Sequence, residues 1–162
     1  VSEPQATPQP DPVVVRTADA EATQAFGERL GGMLRAGDLL VLTGGLGAGK
    51  TTFTQGLARG LGVRGPITSP TFVVARVHPS LTDGPELVHV DAYRLGGAAE
   101  LDDLDLDAEL DEAVTVVEWG AGLAESLSET YLTLVLTGDD ERRIEIHAVG
   151  ERWDDVLSAL RA

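Results

Sequence analysis

A chain of 162 residues that is 43% hydrophobic has the size and composition of one globular domain with its own core. Its 27 acids against 12 bases leave a formal charge of -15, a field that repels phosphate backbones and argues against direct, tight binding of nucleic acid. No apolar run approaches the roughly 20 residues that span a bilayer, no export signal is recognisable and cysteine is absent, so the expected setting is cytoplasmic, with neither membrane insertion nor disulfides nor thiolate metal sites.

Residues 1–12 carry Pro4, Pro8, Pro10 and Pro12 among few apolar residues and read as a disordered tail, leaving 13–162 as a single domain. Residues 13–15 form a short β-branched strand, and Asp19 can cap a helix whose apolar positions Ala22, Phe26, Leu30 and Met33 follow helical spacing. Gly37-Asp38 turns the chain into 39–43, a continuous apolar strand of the kind buried on both faces of a parallel sheet. After a glycine-rich loop, Phe53, Leu57 and Leu61 recur every four residues, and Gly62 stands where a left-handed helix cap belongs. Strands at 72–77 and 86–91, joined through Asp83-Gly84-Pro85, predict a β-hairpin.

Between Glu100 and Glu112 lie eight acids and no base. Asp103, Asp105 and Asp107 open like a calcium loop, but Ala108 replaces the required glycine and Val114 the bidentate acid, so a solvated acidic helix face is the expectation. Residues 115–118 make another apolar strand. Strands at 131–137 and 143–149 pair across Gly138-Asp139-Asp140, and a helix over 151–161 turns Trp153, Val156, Leu157 and Leu160 inward. The combination predicts an α/β fold, a three-layer P-loop NTPase sandwich on a mixed sheet containing hairpins.

The chemistry concentrates in Gly44-Gly45-Leu46-Gly47-Ala48-Gly49-Lys50-Thr51, a complete G-x-x-x-x-G-K-[ST] motif between a predicted strand and a predicted helix. Glycines there let successive backbone N–H groups form an anion nest, which the positive end of the following helix reinforces. The residues expected to bind nucleotide are Gly45, Leu46, Gly47, Ala48, Gly49, Lys50, Thr51 and Thr52: Lys50 for the β- and γ-phosphates, Thr51 for Mg²⁺, Thr52 for the α-phosphate. Lys50 is also the only lysine in the chain, against eleven arginines. That count removes the N/T-K-x-D motif of a GTPase and favours ATP or ADP. A dinucleotide-binding reading fails because Lys50, not glycine, fills the last place of G-x-G-x-x-G counted from Gly45.

A P-loop needs an acid near its metal at the end of a neighbouring strand. Asp91 ends one apolar strand and Glu118 another, and the assignment is Asp91 to Mg²⁺ and Glu118 to orienting or activating the attacking water, with Glu118 a metal candidate as well. Thr68-Ser69-Pro70-Thr71 is a hydroxyl-rich loop placed to sense the γ-phosphate. Arg94 reads as a surface arginine.

Four segments in order, 44–52, Thr68-Ser69-Pro70-Thr71-Phe72, His89-Val90-Asp91-Ala92-Tyr93-Arg94-Leu95 and Val117-Glu118-Trp119, resemble the bacterial P-loop ATPases called TsaE, formerly YjeE. The resemblance implies an Mg²⁺-dependent ATPase, weak when isolated, that acts in threonylcarbamoyl modification of adenosine in tRNA together with TsaD and TsaB, meeting the tRNA only indirectly. It also implies Asp91 as the Mg²⁺ aspartate, Glu118 as the catalytic-site glutamate and Thr71 as the switch-loop threonine. The chain departs from the family at Gly45, commonly an acid, and at Gly120, often proline. The competing expectations are a small-metabolite P-loop kinase, disfavoured because 96–112 has no arginine for a lid, and a nucleotide-gated binding module without turnover.

Overall fold

The computed structural model describes residues 12–44, 49–63, 75–91, 112–118, 130–138 and 141–161. Among them, seven strands, β1 (Val13–Thr17), β2 (Leu39–Thr43), β3 (Ala75–His78), β4 (Glu86–Asp91), β5 (Ala113–Glu118), β6 (Tyr131–Thr137) and β7 (Arg142–Val149), join one mixed sheet in the order β1-β7-β6-β2-β5-β4-β3. The uniformly apolar β2 takes the central place that such a strand requires: Leu39 to Leu42 are wholly buried, and both neighbours, β5 and β6, run parallel to it. The edges are antiparallel. Strands β3 and β4 form the predicted hairpin, and β7 pairs antiparallel with both β6 and β1.

Several sequence-based strand boundaries shift because pairing with a neighbouring strand carries the element further. β1 continues through Thr17 because Arg16 and Thr17 lie opposite Arg143 and Arg142 of β7, which itself starts at Arg142. β5 begins at Ala113, two residues earlier than expected, where Ala113 and Val114 face Glu86 and Leu87 of β4. β3 runs on to His78, and residues 72–74 of its expected span lie outside the described residues. The terminal helix opens with a 3-10 turn, Glu151–Trp153, before the α-helix Asp154–Arg161, here α3, and its four expected inward residues are buried. The predicted tail lies outside the described residues, apart from Pro12.

Helix α1 (Ala20–Gly31) starts as expected, with Asp19 Oδ1 accepting the Ala22 N–H at 2.8 Å. Helix α2 (Lys50–Leu61) ends at Gly62, whose φ of 75° is the left-handed cap. The two helices meet along a seam of glycines, Gly27 and Gly31 on α1 against Gly56 and Gly60 on α2. A Cβ at Gly27 would strike the Phe53 carbonyl, one at Gly31 that of Leu57, one at Gly56 that of Gln24 and one at Gly60 that of Glu28. Backbone therefore lies on backbone, and Phe26 packs on Phe53 beside the seam with ring centroids 5.9 Å apart. Leu40 and Leu42 of β2, Phe53 and Leu57 of α2 and Trp153 and Val156 share one apolar core, so the seam locks the helix that follows the glycine loop against the sheet. No helix among the described residues is long and apolar enough to cross a membrane.

Candidate nucleotide site

β2 ends at Thr43, and α2 begins at Lys50. The glycines at the two ends of this connection have backbone angles that only glycine adopts readily, φ 147° at Gly44 and φ 98° at Gly49. Gly45, Leu46, Gly47 and Ala48 lie outside the described residues, as do Thr71 and Arg94.

Gly49 is the N-cap of α2 and has no side chain to offer the first-turn N–H groups, and no acid occupies that turn. The other two α-helices among the described residues differ: α1 has Asp19 and Glu21, and α3 has Asp154 and Asp155. The start of α2 thus keeps its positive dipole end without a carboxylate on its own chain segment, the arrangement that accepts a bound anion. Lys50 is 7% exposed, and its ammonium donates to the Gly44 carbonyl at 2.8 Å, which folds the side chain back along the loop it follows. Burying an ammonium is costly unless anionic or carbonyl oxygens surround it. Thr51 and Thr52, the next residues of the first turn, are half-buried.

The neighbouring strands bring the acids to the same end of the sheet. β2, β5 and β4 are parallel and adjacent, and the register sets Leu42 opposite Glu118 and Glu118 opposite Asp91. At about 4.8 Å between strands, Glu118 stands one strand and Asp91 two strands from the P-loop strand, at the carboxyl ends where open α/β sheets bind their ligands. Glu118 is 3% exposed.

Two residues near the site carried no sequence signal of their own. His89 is wholly buried on β4, its Nε2 3.2 Å from Glu118 Oε2. That contact is not aligned as a hydrogen bond, and neither ring nitrogen has another partner among the described residues. Arg142, at the start of β7, lays its side chain over the N-cap: a Cβ on Gly49 would stand 3.1 Å from Arg142 Nε, while Nη1 donates to the Gly138 carbonyl at 2.8 Å. His89 was visible only as a letter in a motif, and Arg142 is 93 positions beyond Gly49 in the chain.

A hydroxyl from Thr51 and carboxylates from Asp91 and Glu118 are hard oxygen donors, the set that Mg²⁺ takes when substrate phosphates complete its shell.

A family model described as "Threonylcarbamoyl adenosine biosynthesis protein TsaE" matches residues 17–145. A tRNA threonylcarbamoyladenosine biosynthesis protein TsaE from Streptomyces coelicolor is 60% identical over 135 residues, 79% of this chain and 91% of the relative. Its namesake from Bacillus subtilis is 41% identical over 149 residues, 90% of this chain and 91% of the relative. The crystal structure of Bacillus subtilis YdiB superposes with a TM-score of 0.72 at 36% identity, covering 93% of this chain and 95% of that one.

Proposed function

The chain belongs to the TsaE family, and from that membership we propose that it is an Mg²⁺-dependent ATPase serving threonylcarbamoyladenosine biosynthesis in tRNA. The observation that carries the ATPase part is Lys50, the chain's one lysine, buried at the first position of a helix whose first turn has no acid and whose N-cap is a positive-φ glycine.

In this reading Gly45 to Thr52 hold the phosphates of ATP or ADP, with Lys50 exchanging the Gly44 carbonyl for β- and γ-phosphate oxygens and Thr52 reaching the α-phosphate. Thr51 and Asp91 are the residues that would hold Mg²⁺, with Glu118 adjoining. When bound, the ion neutralises charge that builds on the β- and γ-phosphate oxygens. Glu118 orients the attacking water and accepts its proton, and Thr71 senses the γ-phosphate from the switch loop. The carboxylate is buried within its strand end, which keeps it from exchanging freely with bulk water.

The proposed partners are TsaD and TsaB, which would carry the contact with tRNA. A chain of net charge -15 lacks the surplus of cations that neutralising an RNA backbone needs. Phosphate release measured with and without those partners, together with the level of modified adenosine after depletion of the protein from its native cell, tests the proposal. Partner-stimulated release and loss of the modification are expected. Binding without any turnover would leave a nucleotide-gated module, and unchanged modification would return a small-metabolite kinase.

A further inference from the structure

β4 carries a wholly buried histidine. His89 is 0% exposed, lies opposite Val116 on β5, and follows Leu87, which is buried in the core two residues earlier. Burying an imidazole costs free energy unless its nitrogens are hydrogen-bonded, yet Nδ1 and Nε2 both lack an aligned partner among the described residues. Among the described residues, the polar group that stands within reach is the Glu118 carboxylate on the adjacent strand, itself 4% exposed, with Oε2 3.2 Å from Nε2.

We infer that His89 is a positioning residue for Glu118: its Nε2–H takes Oε2 and leaves Oε1 for the attacking water. The inference rests on the ATP-hydrolysing reading above, because it supplies a neighbour to the carboxylate which that reading uses. A carboxylate oxygen only accepts, so Nε2 is the donor and Nδ1 stays the bare nitrogen. A contact of 3.2 Å with poor alignment has the character of catalytic hydrogen bonds before the reacting complex tightens them. The restraint matters because a carboxylate displaced by 1 Å from its water can lose about 100-fold in rate.

His89→Leu removes both nitrogens at similar volume, and His89→Gln restores an N–H donor near the Nε2 position. His89→Leu is expected to lower single-turnover ATP hydrolysis about 10- to 100-fold while calorimetric affinity for ATP with Mg²⁺ stays within about threefold of wild type. His89→Gln recovers most of the rate, and adding His89→Leu to Glu118→Gln lowers it by less than about twofold more. A readout without activity comes from ¹H–¹⁵N spectra of the nucleotide-free protein: the His89 Nε2 proton gives a slowly exchanging downfield signal that moves on Glu118→Gln.

A wild-type rate in folded His89→Leu overturns the inference. So do equal losses in His89→Leu and His89→Gln, or a ring proton that resides on Nδ1 and ignores Glu118→Gln. Should His89→Leu fail to fold, His89→Gln and the spectra decide the matter. Failure of the ATPase reading looks different: wild type neither binds nor hydrolyses ATP, whatever the ring proton does.

Discussion

Two buried polar pairs, Arg152–Asp38 and His89–Glu118, sit at opposite ends of the central strands, and they are built in opposite ways. At the amino end of β2, Asp38 receives Arg152 Nε on Oδ1 at 3.0 Å and Nη2 on Oδ2 at 2.8 Å, while the Arg35 N–H also donates to Oδ2 at 2.8 Å. Arg152 Nη2 donates again to the Met33 carbonyl, and the guanidinium lies 4.7 Å from the centre of the Trp153 ring. Both carboxylate oxygens and three of the guanidinium's N–H groups are thus engaged. At the carboxyl end, His89 and Glu118 are 0% and 4% exposed in their side chains, but their mutual contact is misaligned and the second ring nitrogen has no partner among the described residues. A saturated buried pair holds a fold together, whereas an unsaturated one pays in stability for the capacity to bind something else.

The largest expected effect attacks the saturated pair. Asp38→Ala strands the Arg152 guanidinium and the Arg35 N–H, and should cost about 3–5 kcal/mol, seen as a fall in melting temperature of roughly 10 °C. Nucleotide affinity at temperatures where the variant is folded should not change. If stability hardly moves, the pair is not the structural clamp its geometry describes.

Next comes the glycine seam, which belongs with Asp38 as pure architecture. Gly56→Ala drives a Cβ into the Gln24 carbonyl and should destabilise by about 3 kcal/mol in denaturant titration. Gly32→Ala is the control: Gly32 is exposed with φ -66°, and its nearest obstacle is 3.6 Å away, so stability should hold or rise slightly.

Glu118→Gln probes the unsaturated pair and should reverse the pattern. Hydrolysis, assayed with the partners it needs, is expected to fall about 100-fold, near 2.7 kcal/mol of barrier, while the melting temperature stays level or rises. A matching loss of stability with full activity would make Glu118 a counterpart of Asp38 and erase the contrast.

The smallest effect is at the surface, where Arg143 and His147 flank Glu145 at 2.9 and 2.8 Å. The hydrogen bond from His147, then its charge, then Arg143 hold the Glu145 carboxyl below its usual 4.5. A depressed carboxyl pKa stabilises the fold above the unfolded value and loses that contribution as pH falls through the folded one. Acid titration of His147→Ala by circular dichroism should therefore start from a very slightly lower stability at neutral pH, kept small by solvent screening, and show a slightly shallower loss below about pH 4.5.

Local chemistry made one end of the molecule readable. The apolar run at 39–43, the eight-residue motif and the helical spacing of Phe53, Leu57 and Leu61 are contiguous, so strand, loop and helix followed from neighbours alone, as did the β3–β4 hairpin and the buried face of α3. Contacts between distant segments left no such trace. Asp38, read as part of a turn, and Arg152, which no local pattern marks, are 114 positions apart. Nothing local marks Gly27, Gly31, Gly56 and Gly60, because the reason for them is the other helix. His89 lay in a recognisable motif, but its partner is fixed by the pairing of β4 with β5, which no local pattern specifies.

Calorimetric titration of ATP with Mg²⁺ into wild type, Lys50→Ala and Arg152→Met tests the central contrast most directly. Arg152→Met should bind as wild type does while folded, and folded Lys50→Ala should lose at least about 100-fold in affinity. Wild-type affinity in folded Lys50→Ala would contradict the account, because the nucleotide site would then lie somewhere other than the end of the sheet where β2 meets α2.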